Sequence, residues 1–301
     1  MATPLVSIII VTHNSKAVLE DCLRSLPGAA TGLECEVIVV DNASLSDPTA
    51  LVHACDPTAA VLRNTRNLGF AAACNQGARA AQSRHVVFLN PDLRLDPGAV
   101  ERLYAALSRD VRAGVVSGRL RHPDGSFQPS CREFPTVSNM IFSRGSLLGR
   151  LLGGRARYTL PDYTEPTEVP AVAATMMMIR RDLFLRMGGF DERFFMYLED
   201  TDLCLRLHRR GYHNYYLPGA GAVHLWACGS TTGRVRRVYY HHEAVWKYFL
   251  KHVPNGFSLV ILPLLLLMNM GLVLSFGGHR KTAVPAPHAD GSADATGRET
   301  E

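Results

Sequence analysis

"HVVFLNPDLRLDPG", His85 to Gly98, holds a strand, a sharp bend and a helix start within fourteen residues. His85–Leu89 is a short, β-branched apolar run of the kind that forms a buried strand. It stops at Asn90-Pro91-Asp92, where the proline ring fixes the bend. Asp96-Pro97 then reads as a helix start, with the helix continuing to about Ser108. Turn chemistry accounts for one strand that ends on polar residues. The same ending recurs along this chain and asks for more.

Upstream, Leu5–Val11 is a strand run. Asn14 or Ser15 can cap the next helix, with Val18, Leu19, Cys22, Leu23 and Leu26 on one face. Glu36–Val40 is a second strand, Asp47-Pro48 opens a second helix, and Ala59–Leu62 is a weak third strand. Phe70–Gln82 is a helix of small residues. Downstream, Gly114–Gly118 reads as a strand, and residues 119–170 lose the rhythm to Gly, Pro, Ser and Arg. Ala171–Ile179 is again strand-like, followed by helices near Arg181–Met187 and Glu199–Arg210, and short strands at Tyr212–Leu217 and Gly221–Leu225. Alternation of this kind predicts an α/β fold, Rossmann-like, with a mostly parallel sheet flanked by helices.

The 301 residues are 47% hydrophobic, enough for one substantial core. The net charge of +5 is mild and its Lys and Arg are scattered, which argues against nucleic acid as a partner. Seven dispersed cysteines without a C-x-x-C pair fit reduced thiols in a cytosolic compartment and argue against a zinc or disulfide framework. The apolar run at the N-terminus is too short for a signal peptide. Phe257–Phe276 is different: twenty residues without a charge, about the length that crosses a bilayer, with basic residues on both sides. It reads as membrane-associated, either spanning or lying in one leaflet. Residues 281–301 have the composition of a disordered tail.

In an open parallel sheet, ligands bind outside the carboxyl ends of the strands. Here those ends carry Thr12-His13-Asn14, Asp41-Asn42, Asn67 to Gly69, and Asn90-Pro91-Asp92. Each alone is a turn; four on one edge describe a polar ligand site. No G-x-G-x-x-G and no Walker loop follows the first strand, so a dinucleotide or P-loop site is absent. An Asp after the second strand can meet a base or ribose. An Asp after the fourth can hold a divalent cation against a diphosphate. Further on, Glu199, Asp200 and Asp202 crowd one helix start behind Phe194, Phe195 and Tyr197. Macrodipole complementarity explains acids there. A carboxylate beside aromatic surface is also a candidate general base. His224, in "AVHLW", is a candidate imidazole ligand.

The stretches "VSIIIVTHNS", "VIVVDNAS", "RNLGFAAACNQG", "FLNPDLRLDPG", "MMIRRDLFLRMGGFDERFFMYLEDTDLCLRLHRRGY" and "VHLWACGST" resemble glycosyltransferase family 2, in particular its bacterial rhamnosyltransferase-like branch. The likeness runs from about Val6 to Ser230. It implies a GT-A fold and inverting transfer from a nucleotide-diphosphate sugar, with dTDP-rhamnose the first donor to try. It places Asp41 at the nucleobase, with Thr12, His13, Asn14, Asn42, Asn67, Gly69, Asn75 and Asn90 around the donor. It implies Mn2+ or Mg2+ at Asp92, joined by His224, and a catalytic base at Asp200 of the Glu199-Asp200 pair. Asn90-Pro91-Asp92 stands where the family usually has Asp-x-Asp, which removes one negative charge. His13 replaces the usual aromatic. The implied acceptor is lipid-linked or an oligosaccharide in cell-surface glycan assembly, at the cytoplasmic face of the cell membrane.

On this reading residues 1–118 form the nucleotide-sugar half and 119–252 the acceptor and catalytic half of one domain, with 253–280 the hydrophobic segment. Two other readings use the same features: a catalytically degenerate sugar-nucleotide-binding module, and a membrane scaffold. Asp202 is expected to face the first-turn amides of its helix.

Overall fold

The apolar runs assemble into one large sheet in the computed structural model, which describes residues 4–142, 158–225 and 232–276. The first four strands are β1 (Val6–Thr12), β2 (Cys35–Asp41), β3 (Ala60–Arg63) and β4 (His85–Leu89). β1 pairs in parallel with β2 and β4, so Ile10 faces Val39 on one side and Leu89 on the other. Thr12 pairs with Asp41, which brings two of the polar strand ends level. Every residue of β1 is buried, as expected of a strand covered on both faces.

The two-residue period decides what packs where. Ile8 and Ile10 point into a cluster with Leu19 and Leu23 of α1 (Lys16–Ala29), Val52 of α2 (Thr49–Cys55) and Leu103. Ile9 and Val11 point the other way, toward Cys74 and Ala78 of α3 (Phe70–Ala80). Leu103 belongs to α4 (Ala99–Arg109), which begins three residues after Asp96. The Asp96 carboxylate accepts from Arg121 instead of capping that helix. Pro48 occupies the N-cap of α2, one position earlier than expected, while Asp47 still accepts the Thr49 N–H at 2.8 Å.

The second half departs further from the expected pattern. A short strand, β5 (Leu93–Leu95), follows directly on Asp92. β6 (Ala113–Arg121) is nine residues long and crosses position 118, so both halves build one sheet. The rhythmless region holds the two-residue strands β7 (Phe127–Gln128), β8 (Cys131–Arg132) and β9 (Thr167–Glu168), and the helix α5 (Val137–Phe142). The run at 171–179 is two strands: β10 (Ala171–Val172) pairs with β8, and β11 (Met176–Arg180) enters the main sheet. β11 lies antiparallel between β4 and β6. The two short strands expected at 212–225 are one, β12 (His213–His224), bulged between Leu217 and Gly221. The sheet order is β3-β2-β1-β4-β11-β6-β12-β5.

Helices α6 (Arg181–Arg186) and α7 (Glu199–His208) complete the second face. Helix α8 (Arg234–His252), a π-helical turn at Phe257–Ile261, and α9 (Leu262–Phe276) follow. A third apolar cluster joins Phe194 and Leu198 before α7 to Ala244, Val245, Tyr248 and Phe249 of α8 and Leu262 of α9. Asp202 does not turn to the α7 amides. It takes Arg206 at 2.8 Å, Lys251 at 2.6 Å and His252 at 2.7 Å, and so ties α7 to α8. The six described cysteines are free thiols.

Candidate functional site

A cleft of about 400 Å³ opens at the carboxyl edge of the sheet, a size suited to a small-molecule ligand. Its lining includes His13, Asn42, Asn67, Gly69, Asn90, Asp92, Glu199, Asp200 and His224. Nine of the thirteen residues singled out in the sequence therefore meet there. The other four stand behind or beside it. Thr12 is buried and gives its carbonyl to the Asn42 N–H at 2.8 Å. Asn14 holds the next loop, bonding Ser44 and Leu45 at 2.8 Å each. Asp41 is fully buried and accepts from Arg63 and from the Ser44 N–H, both at 3.0 Å. Asn75 lies away from the cleft and clamps the turn before α7, with Phe190 donating to it at 2.9 Å and accepting from it at 2.8 Å.

The donor side is a mesh of amides. His13 Nδ1 meets the Asn42 carbonyl at 2.8 Å, which makes it the protonated nitrogen, and Nε2 accepts from Asn14 at 3.2 Å. Asn42 is saturated: it donates to Asn67 and to the Gly69 carbonyl, and accepts from Asn64 and the Leu68 N–H. Gly69 has φ of +86°, and a Cβ there would come within 2.5 Å of the Phe195 carbonyl oxygen. Only glycine lets the loop after β3 touch the loop before α7.

On the opposite wall, Asp92 and His224 face each other across the β5–β12 pairing. Asp92 Oδ1 and His224 Nε2 are 3.1 Å apart, and both residues are buried. At that distance the two are hydrogen-bonded; a carboxylate oxygen and an imidazole nitrogen side by side are also donor types that a divalent cation takes. The pair therefore fits a divalent cation. Among the described residues no group of three or more His, Cys, Asp or Glu forms around them. Gln128 Oε1 lies 3.2 Å from His224 Nδ1 and can accept its N–H, which orients the ring from behind as partners of metal-binding histidines do.

The third wall is the start of α7. Tyr197 and Leu198 both adopt positive φ, +74° and +63°, a strain concentrated where the cleft turns. Asp200 is held by four donors: the Thr201 N–H at 2.6 Å and its hydroxyl at 3.0 Å on Oδ1, the Ala174 N–H at 3.1 Å and Arg132 at 3.3 Å on Oδ2. Glu199, beside it, is 5% exposed, and its Oε2 has no hydrogen-bond partner among the described residues. Burial, reinforced by the neighbouring Asp200 charge, pushes the Glu199 carboxyl up to about 8. Burial works against the Arg132 charge, but Asp200, Tyr158 and Glu199 together outweigh it and favour the protonated guanidinium. Gln128, Arg132 and Arg237 all line the cleft and were not singled out in the sequence. The first two sit in the region without periodicity, and Arg237 lies on a helix whose basic residues look like an ordinary solvated face. The stretch from Trp226 to Thr231, within "VHLWACGST", lies outside the described residues.

The geometry has known counterparts. An N-acetylglucosaminyl-diphospho-decaprenol L-rhamnosyltransferase of Mycobacterium tuberculosis is 32% identical, over 81% of this chain and 83% of its own length. Rhamnosyltransferase WbbL of Escherichia coli K12 is 28% identical, over 73% of this chain and 83% of its own. The mannosyltransferase PcManGT from Pyrobaculum calidifontis, solved with GDP-Man and Mn2+, superposes with a TM-score of 0.57 at 17% identity, covering 93% of this chain and 77% of that one. That likeness establishes the GT-A-like fold. The family model described as glycosyl transferase family 2 matches residues 7–188, more than half of the chain. By that match and by its 32% identical relative, the chain belongs to glycosyltransferase family 2 and is a glycosyltransferase.

Proposed function

We propose that this glycosyltransferase inverts configuration, uses Mn2+ or Mg2+, and moves rhamnose from dTDP-rhamnose to a lipid-linked or oligosaccharide acceptor at the cytoplasmic membrane face. The observation that carries the reading is the division of one cleft into three walls. Amides line the donor side, the Asp92–His224 pair faces them, and the Glu199-Asp200 pair closes the third side. The names of the two rhamnosyltransferase relatives support the sugar, and the first also supports a polyprenyl-diphosphate acceptor.

Asp200 is the base. It accepts the proton of the acceptor hydroxyl as that oxygen attacks the anomeric carbon in line. The bond from the anomeric carbon to the diphosphate breaks, and its electron pair leaves with the diphosphate. Four donors fix the plane of the Asp200 carboxylate before substrate arrives. Glu199, raised to about 8, keeps its proton near neutral pH and is not the base. Asp92 and His224 would hold the cation, and its charge, when bound, would offset that of the departing diphosphate. Asp41 stands at the end of β2 for the nucleobase, its carboxylate braced by Arg63 and the Ser44 N–H.

The test is a panel of nucleotide sugars offered to purified enzyme with a polyprenyl-diphosphate sugar acceptor, with the anomeric configuration of product read by NMR. Transfer from dTDP-rhamnose with inversion is expected. Turnover of another donor alone, or retained configuration, would overturn the corresponding part.

A further inference from the structure

Helix α9 does not stand away from the protein. It runs antiparallel along α8, and three polar contacts pin it and the turn that leads into it. Trp246 Nε1 donates to the Ser258 carbonyl at 3.2 Å, Asn269 donates to His242 at 2.9 Å, and Arg234 reaches the Val273 carbonyl at 2.5 Å. At about 100° per residue, Leu262, Leu266, Asn269 and Val273 share one face, and that face meets α8. Leu264, Leu267 and Met268 lie on the opposite face and are 63%, 60% and 53% exposed. Leu259, Val260 and Ile261 in the preceding turn are exposed too. On α8, Val235, Tyr239 and Trp246 share one face and are exposed too.

The stretch Phe257–Ser275 is long and apolar enough to cross a membrane. Its partner helix is not. A crossing α9 would draw α8 alongside it, and with it Arg234, Arg236, Arg237, Glu243 and Lys247. Charged groups at that depth are costly unless they line a polar interior. We infer that the α8–α9 hairpin lies in the plane of a lipid bilayer surface, with its outward apolar face in one leaflet and neither helix spanning. This deepens the membrane part of the proposed function and rests on it. Tyr239 is an amphipathic ring that suits the headgroup boundary, and exposed Arg236 complements anionic lipid.

The other side of α8 carries the cleft. Tyr240 stacks on Phe195 with ring centres 4.6 Å apart, Tyr197 meets His241 at 5.8 Å, and Arg237 lines the cleft itself. A hairpin lying flat therefore sets the mouth of the site at headgroup depth, where the diphosphate sugar of a lipid-linked acceptor is found.

The experiment uses the full chain with a C-terminal epitope tag, produced in bacteria, with inverted inner-membrane vesicles treated with protease. The tag is expected to be cleaved from the same side as the catalytic domain. In parallel, Leu264→Asp/Leu267→Asp should lower binding to phosphatidylcholine/phosphatidylglycerol vesicles by on the order of tenfold or more, with donor hydrolysis and melting unchanged. Leu267→Asp alone serves if the pair does not fold. A protected tag means a spanning helix and overturns the proposal. A wild-type dimer in solution that the variant turns into monomer means a second copy covers the face, and overturns it as well. A wild-type enzyme that transfers sugar yet never binds vesicles removes the membrane reading itself, while leaving the reaction standing.

Discussion

Replacing Glu199 with Gln should stabilise the protein, and increasingly so as pH rises. The Glu199 carboxyl is 5% exposed, and burial, followed by the adjacent Asp200, moves it from the ordinary 4.5 to about 8. Below about pH 4.5 it is protonated in both the folded and unfolded chain and contributes no pH dependence. Between about 4.5 and 8 the unfolded chain releases the proton and the folded chain retains it, so wild-type stability falls with pH through this window. The slope is about 1.4 kcal/mol per pH unit, and at pH 7 the accumulated cost is on the order of 3 kcal/mol. Gln has no proton to lose and escapes it. Urea unfolding of both proteins at pH 5, 6, 7 and 8 is the assay. A constant offset reports how well the amide sits in the pocket, whereas the slope reports the buried acid. A difference that does not change between pH 5 and 8 would refute the argument, and would return Glu199 as an ionised candidate for the base.

Four further outcomes are expected. Asp200→Asn should lower single-turnover transfer about 10²–10⁴-fold while nucleotide-sugar affinity, measured by calorimetry, stays near wild type. Asp92→Asn should weaken dTDP binding in Mn2+ strongly and leave chelator-treated binding unchanged; equal affinity in both conditions would remove the metal role. Gln128→Leu should weaken Mn2+ affinity roughly tenfold, read by the paramagnetic resonance of free Mn2+, because His224 loses the Oε1 acceptor that sets its ring. Gly69→Ala should cost roughly 1–3 kcal/mol in chemical denaturation, because φ of +86° and a carbonyl 2.5 Å from the new Cβ leave no room.

The first half of the fold was legible because buried parallel strands write themselves as short apolar runs separated by helix caps. β1 to β4 and α1 to α4 fall within a few residues of their expected positions. What periodicity does not encode is direction. Nothing in "MMMIR" distinguishes an antiparallel β11 from another parallel strand, because both are buried on both faces. Nor does it encode pairing by two-residue strands, which is why β7 and β8, and with them Gln128 and Arg132, were missed. Asn75 shows the converse limit. Its motif marks it as polar and important, yet its amide is spent on the backbone of Phe190, 115 positions away along the chain.

The reversed direction of β11 has a consequence for evolvability. Parallel strands bring only their last residues to the ligand edge, whereas β11 brings its approach, Ala173 to Thr175. One grip on Asp200 is therefore a main-chain N–H, that of Ala174. Side-chain substitution can erase Arg132 or the Thr201 hydroxyl, but it leaves that N–H in place unless the substitute is proline. A lineage free to change donor or acceptor around this cleft thus inherits an anchor for Asp200 that does not depend on the identity of a side chain.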